Sequence, residues 1–259
     1  MNERRTRTVP PGSRVILRAV VGSTVHGTQI ASQDDRDEMA IAVEPPEYVL
    51  GLREWVRGAA VERTQPEGTR SGPGDLDLTT YTLRKFARLA ASGNPTIMIP
   101  LFAPESAILF IDELGRNLIA NRSIFLSAKV RETFLGYLRA QRMRLTGQQG
   151  QMRVTRTKLI EKFGYDTKYA GHIIRLGFQG HEMLTQGRMT LPMQAFERQA
   201  VVEIRNGEWP LEDVLSFAQQ QENAIQHAIT ALPPEPDWES IDRFLCYAYR
   251  STWHEGEMT

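Results

Sequence analysis

Val15-Ile16-Leu17-Arg18-Ala19-Val20-Val21-Gly22-Ser23, followed after eleven residues by Asp35-Arg36-Asp37 and then Met39-Ala40-Ile41-Ala42-Val43, is the stretch on which the fold turns. Its first part is a β-branched, apolar run closed by a glycine, the pattern of a buried strand. A polar loop or short helix follows to Asp34, and Met39–Val43 reads as a second buried strand stopped by Pro45-Pro46. A Gly- and Pro-rich segment over 67–74 leads into a third strand, Leu76-Asp77-Leu78-Thr79-Thr80-Tyr81. The period then changes. Leu83, Phe86, Ala87, Leu89 and Ala90 have helical spacing, and Gly93-Asn94-Pro95 ends that helix. Three strands with connecting helices predict a small sheet.

Beyond residue 95 helical patterns dominate, near 105–120, 123–145, 148–163, 167–187, 194–206 and 210–231. One more is expected at 238–250, after the linker Pro233-Pro234-Glu235-Pro236. The expected class is α+β: an α/β domain with a small mixed sheet over 1–95, followed by an α-helical domain over 96–259. A chain of 259 residues with 41% hydrophobic content can bury the core such a division needs.

Thirty-one basic residues balance thirty-one acidic ones, so the molecule as a whole is not the cationic body of a general nucleic-acid binder. Between Arg139 and Lys162, however, seven Lys or Arg face a single acid, Glu161, which permits a local basic face. A solvated helix surface is the simpler use of such a run. The charged N-terminus is followed by no apolar run, and no segment reaches the roughly 18 apolar residues of a membrane span. One cysteine, Cys246, cannot form an internal disulfide. The expectation is a cytoplasmic protein, with Cys246 on the buried face of the last helix and Trp55, Trp209, Trp238 and Trp253 in core or interface positions.

The chemistry lies at the strand ends. Gly22 closes a strand where the backbone can approach a phosphate, and Ser23 can hydrogen-bond the same oxygens. Asp35 and Asp37, two apart on an extended segment, project from one face. Two hard carboxylates on one face suit Mg²⁺, and a third on a neighbouring strand would let two ions be clamped together. Asp77 is the candidate and Asp75, two residues earlier, the runner-up. A Gly-Ser turn or an acidic loop alone is common; the combination is restrictive.

That combination resembles the signature of the DNA polymerase β-type nucleotidyltransferase superfamily. Within it, Gly22-Ser-Thr-Val-His-Gly-Thr28, Asp35-Arg-Asp37, Pro45-Pro-Glu-Tyr-Val-Leu-Gly-Leu52 and Asp77-Leu-Thr-Thr-Tyr-Thr-Leu-Arg-Lys-Phe86 resemble the RlaP-type nucleotidyltransferases. Gly93-Asn-Pro-Thr96, Phe163 to Leu176, Gly187-Arg-Met-Thr-Leu-Pro192 and Ile204 to Leu211 extend the likeness. That family is associated by gene context with RNA repair and is also carried by bacteriophages. The resemblance implies Asp35, Asp37 and Asp77 as catalytic metal ligands for Mg²⁺, with Mn²⁺ as a substitute. It also implies Gly22 and Ser23 as phosphate contacts. Two departures stand out: Gln33 where a small residue is usual, and Ile99-Pro100 where the family often has a glutamate after Asn-Pro.

A second feature points the same way. Asp166 suits the N-cap of the helix beginning at Thr167, which places Lys168, His172 and Arg175 along one side, within reach of a triphosphate. The expected reaction is transfer of a nucleoside monophosphate from an NTP to a hydroxyl, an RNA end being favoured as acceptor. A protein or small-molecule acceptor, or a non-catalytic binding module of the same fold, are the alternatives.

Overall fold

The computed structural model describes residues 5–30, 35–66, 69, 71–72, 74–147 and 157–257. Its strands are β1 (Arg5–Thr6), β2 (Arg14–Val20), β3 (Arg36–Val43), β4 (Glu54–Trp55), β5 (Ala59–Arg63), β6 (Leu76–Thr82) and β7 (Ile108–Ile111). Its helices are α1 (Gly22–His26), α2 (Pro46–Val49), α3 (Leu83–Ala91), α4 (Ile99–Phe102), α5 (Glu113–Ala120), α6 (Val130–Leu145), α7 (Thr157–Phe163), α8 (Thr167–Gln186), α9 (Ala195–Asn206), α10 (Leu211–His227) and α11 (Trp238–Glu257). The class is α+β, with a mixed five-stranded sheet in the order β5-β6-β3-β2-β7 and a separate short pair of β1 with β4.

β3 and β6 run parallel at the centre, and the other pairs in the sheet are antiparallel. β3 is buried continuously from Glu38 to Val43, with α1, α3 and α11 packed against it. Ile16, Leu17, Ile41, Leu83 and Phe86 lie at the middle of this core. The same buried cluster continues through Phe134, Leu138, Ile173 and Ile174 into the helices. α3 starts on the Thr82 cap, whose hydroxyl accepts from the Lys85 amide at 3.1 Å.

The segment 105–120 is not one helix. A 3₁₀ turn at Glu105–Ala107 leads into β7, which joins the sheet edge with Leu17 opposite Ile111 and Ala19 opposite Ile108. α5 begins only after Asp112, whose carboxylate accepts from the Gly115 amide at 2.9 Å. The expected helix over 123–145 is likewise split, into a 3₁₀ turn at Arg122–Phe125 and α6.

α8 is the axis of the helical part. It packs against α6, α9 and α10, with Gly171, Gly177 and Gly180 allowing close approach: a Cβ at Gly177 would stand 2.4 Å from the Gln221 Cβ. α11 returns the chain to the sheet. Tyr249 Oη donates to Glu44 at 2.9 Å, and Trp253 Nε1 donates to the Glu44 carbonyl at 3.0 Å. Ile241, Phe244 and Ala248 form the inner face of α11, which leaves Cys246 outside and exposed, contrary to the sequence expectation. Trp55 is buried as expected, whereas Trp238 is exposed at the start of α11, over the Lys129 ammonium. Among the described residues no helix is long and apolar enough to cross a membrane.

Candidate active site

Three strand ends converge beside α1. In the parallel pair β3–β6, Asp37 stands opposite Asp77, so the two side chains share a face. Asp35 lies two residues before Asp37, just outside β3, where the Arg36 amide donates to the Asp75 carbonyl at 2.9 Å. The carboxylates of Asp35, Asp37 and Asp77 each offer an oxygen within 4.8 Å of the others, and all three residues are half-buried. Such a set of hard oxygen donors can hold a divalent cation.

Asp75 does not join them. Its carboxylate accepts instead from the Thr64 hydroxyl at 3.2 Å and from the Gly72 amide at 3.0 Å, which turns it into the β5–β6 connection. Asp77 is held by the same connection through its other lone pairs: Gln65 Nε2 donates to Oδ1 at 2.9 Å and the Ser71 hydroxyl to Oδ2 at 2.8 Å. Arg63, its cross-strand partner on β5, places Nε 3.5 Å from Oδ1. Outer partners of this kind orient a ligating carboxylate.

Gly22 closes the other side. The Val21 amide donates to the Asp37 carbonyl at 2.9 Å, locking the end of β2 to β3. At Gly22 the backbone turns to φ +66, and a Cβ there would lie 2.1 Å from Asp37 Oδ2. Only glycine can adopt this turn cheaply and also leave the carboxylate its space. Ser23 follows in the first turn of α1.

These groups form one wall of a cleft of about 420 Å³ lined also by His26, Tyr81, Lys168, His172, Arg175 and Arg205. The volume falls within the range of small-molecule sites. Asp166 caps α8, accepting from the Lys168 and Tyr169 amides at 3.1 Å each, and so positions Lys168 at the cleft. Arg175 is 9% exposed and His26 2%. Burial first, then the charge of Arg205, pushes the Arg175 guanidinium down to about 10. Burial first, then Arg175 and His172, holds the His26 imidazole well below its ordinary range. One wall is therefore acidic and the other cationic.

The family model described as RNA repair pathway DNA polymerase beta family matches residues 3–246. This chain belongs to the RlaP family. The family's description places it among the DNA polymerase β-type proteins. An uncharacterized 38.9 kDa protein from the nrdC-mobD intergenic region of Enterobacteria phage T4 is 25% identical over 132 residues. The match covers 49% of this chain and 38% of the phage protein, so the chain accounts for well under half of that relative's length. A solved nucleotidyltransferase-like protein from Exiguobacterium sibiricum 255-15 aligns with 12% identity and a TM-score of 0.31, over 92% of this chain and 74% of that one.

In this RlaP protein every residue singled out from the sequence, namely Gly22, Ser23, Asp37, Asp77, Lys168, His172 and Arg175, lines one cleft, with Asp35 in the carboxylate cluster at its edge. Ile99, at the departure from the family's glutamate, lines it too, whereas Gln33 lies outside the described residues. Gln65, Ser71, Gln179 and Arg205 were not picked out. Arg205 stood inside a stretch that carries the family resemblance, a usable signal; for Gln65, Ser71 and Gln179 the sequence held none. The basic stretch from 139 is partly neutralised: Glu222 pairs with Arg139 Nε at 2.6 Å and with Arg142 Nη1 at 2.9 Å. Arg153 and Arg156 of that stretch lie outside the described residues.

Proposed function

We propose that this RlaP protein transfers a nucleoside monophosphate from an NTP to a hydroxyl, that of an RNA end, with Mg²⁺ held by Asp35, Asp37 and Asp77. The observation that carries the reading is the position of Gly22, whose missing Cβ leaves room for the Asp37 carboxylate beside the other two acids. When bound, the divalent cation supplies Lewis-acid stabilisation of the phosphoryl oxygens and of the departing pyrophosphate. The acceptor oxygen bonds to the α-phosphorus as the bond from that phosphorus to the α–β bridging oxygen breaks. The hydroxyl proton is released, and pyrophosphate leaves.

The protein's own residues set the geometry. Gly22 and Ser23 meet the phosphates at the end of β2. Lys168, His172 and Arg175 meet them from α8, compensating charge that the carboxylates would otherwise repel. Asp77 keeps its orientation through Gln65 and Ser71. The family's description supports RNA as the acceptor class. Lys158, with Arg153 and Arg156, is the basic group from which an RNA backbone would gain affinity, and such binding weakens steeply with salt.

The test is release of pyrophosphate from each labelled NTP in Mg²⁺ or Mn²⁺ with RNA, protein and small-molecule acceptors present. Label should enter RNA, and Asp35→Asn combined with Asp37→Asn should reduce release to background while the fold melts normally. Label in protein or metabolites would move the acceptor elsewhere; no release with any NTP would leave a nucleotide-binding module.

A further inference from the structure

α1 and α8 meet through a buried polar network that neither the sheet nor the carboxylates require. His26 closes α1, and Arg175 and Gln179 lie one turn apart on α8, exposed by only 2%, 9% and 2%. Arg175 Nη1 donates to His26 Nε2 at 2.9 Å and to Gln179 Oε1 at 2.7 Å, and Nη2 donates to His172 Nε2 at 2.7 Å. Gln179 Nε2 lies 3.1 Å from His26 Nδ1. Among the described residues no carboxylate pairs with this guanidinium.

A guanidinium has five N–H groups, and these contacts use three. The other two have no protein acceptor among the described residues, while Arg175 itself lines the cleft. A buried charge without a counter-charge is costly, and an arginine whose fork is fixed in place suits a phosphate's paired oxygens. His26 serves only as an acceptor for Arg175 if Nε2 carries no proton. Its neutral ring, disfavoured from charging by burial and by Arg175, meets that condition in the tautomer that carries the proton on Nδ1.

We propose that Arg175 is a receptor for the polyphosphate of the nucleotide that works without the metal, and that His26 and Gln179 are positioning residues that fix its guanidinium. The source of that polyphosphate rests on the nucleotidyl-transfer reading above; the anion site does not. The cationic wall would hold the β- and γ-phosphates before the carboxylate wall engages, and would retain pyrophosphate after transfer.

The probe is inorganic tripolyphosphate, titrated calorimetrically into the full chain in EDTA. The wild-type protein should bind it, and Asp35→Asn with Asp37→Asn should bind at least as tightly, since negative charge has been removed. Arg175→Gln and His26→Leu should each weaken binding by on the order of tenfold or more. His26→Gln should restore it, because the glutamine oxygen can accept where Nε2 did. Histidine side-chain ¹⁵N shifts in the unmutated protein should show Nε2 of His26 unprotonated at neutral pH. No binding in EDTA, a folded His26→Leu that binds as wild type, or a protonated Nε2 would each overturn the proposal. Tripolyphosphate binding without pyrophosphate release from any NTP would uphold this receptor and sink nucleotidyl transfer; release without binding in EDTA would do the reverse.

Discussion

Replacing Gly22 by alanine should separate backbone strain from damage to the carboxylate site. The φ of +66 places an L-residue in the left-handed region, at a cost of roughly 1–2 kcal/mol. For a chain of this size that lowers Tm by roughly 2–8 °C. The new Cβ would also lie 2.1 Å from Asp37 Oδ2, where ordinary contact begins at 3.4 Å, so the carboxylate must move by about 3.4 − 2.1 = 1.3 Å. Misplacement on the order of 1 Å at a reacting centre costs on the order of 100-fold in rate. Gly12→Ala is the control: its φ is +80, but its added Cβ would meet only Pro45 Cγ, at 3.5 Å. Both variants should melt earlier by similar amounts in a thermal scan. Only Gly22→Ala should lose pyrophosphate release and Mn²⁺ affinity. Wild-type release from a folded Gly22→Ala protein, or equal loss from Gly12→Ala, would refute the reasoning.

Two further outcomes follow from buried groups. The folded-state pKa of His26 is held below 6.5, so below pH 6.5 the unfolded chain takes a proton the folded one refuses, and stability falls as pH falls, by up to about 1.4 kcal/mol per unit. Glu197 is raised from 4.5 to about 7, by burial first and then by Glu182, so its contribution is present below pH 4.5 and lost as pH rises through 7. The two oppose each other between pH 4.5 and 6.5; Glu197→Gln should expose the His26 slope in urea titrations, and an unchanged pH profile would count against both assignments. Tyr249→Phe removes the hydroxyl that donates to buried Glu44 and accepts from the Arg84 amide, and should cost about 1–3 kcal/mol. Because Tyr249 is away from the cleft, thermal melts should shift while pyrophosphate release per folded molecule stays constant.

Much of the sheet was legible because β3 is buried on both faces and β2 and β6 bury at least one. Val15–Val21, Met39–Val43 and Leu76–Tyr81 are apolar or β-branched runs with clear stops, and they became β2, β3 and β6. β7 was not legible. Ile108-Leu109-Phe110-Ile111 is four apolar residues beside a helical pattern, and only its pairing with β2 makes it a strand. The capping Asp112 was the local signal that the helix starts later. Cys246 was misplaced because a helix face that is apolar in sequence still has to choose which side meets the sheet, and α11 turned Ile241, Phe244 and Ala248 inward.

The sequence by itself determined the members of the candidate site: a glycine-serine strand end, two acids two residues apart, a third on another strand, and a capped helix carrying Lys168, His172 and Arg175. Spacing along a strand or helix dictates which side chains share a face, so these features survive without knowledge of the fold. Tertiary structure alone decided between Asp77 and Asp75 as the acid beside Asp37, through the parallel register of β3 with β6. It also brought α8 across from the sheet and joined Arg175 to His26, 149 residues away along the chain. Such pairings depend on how elements pack, and local sequence carries no term for a partner that distant.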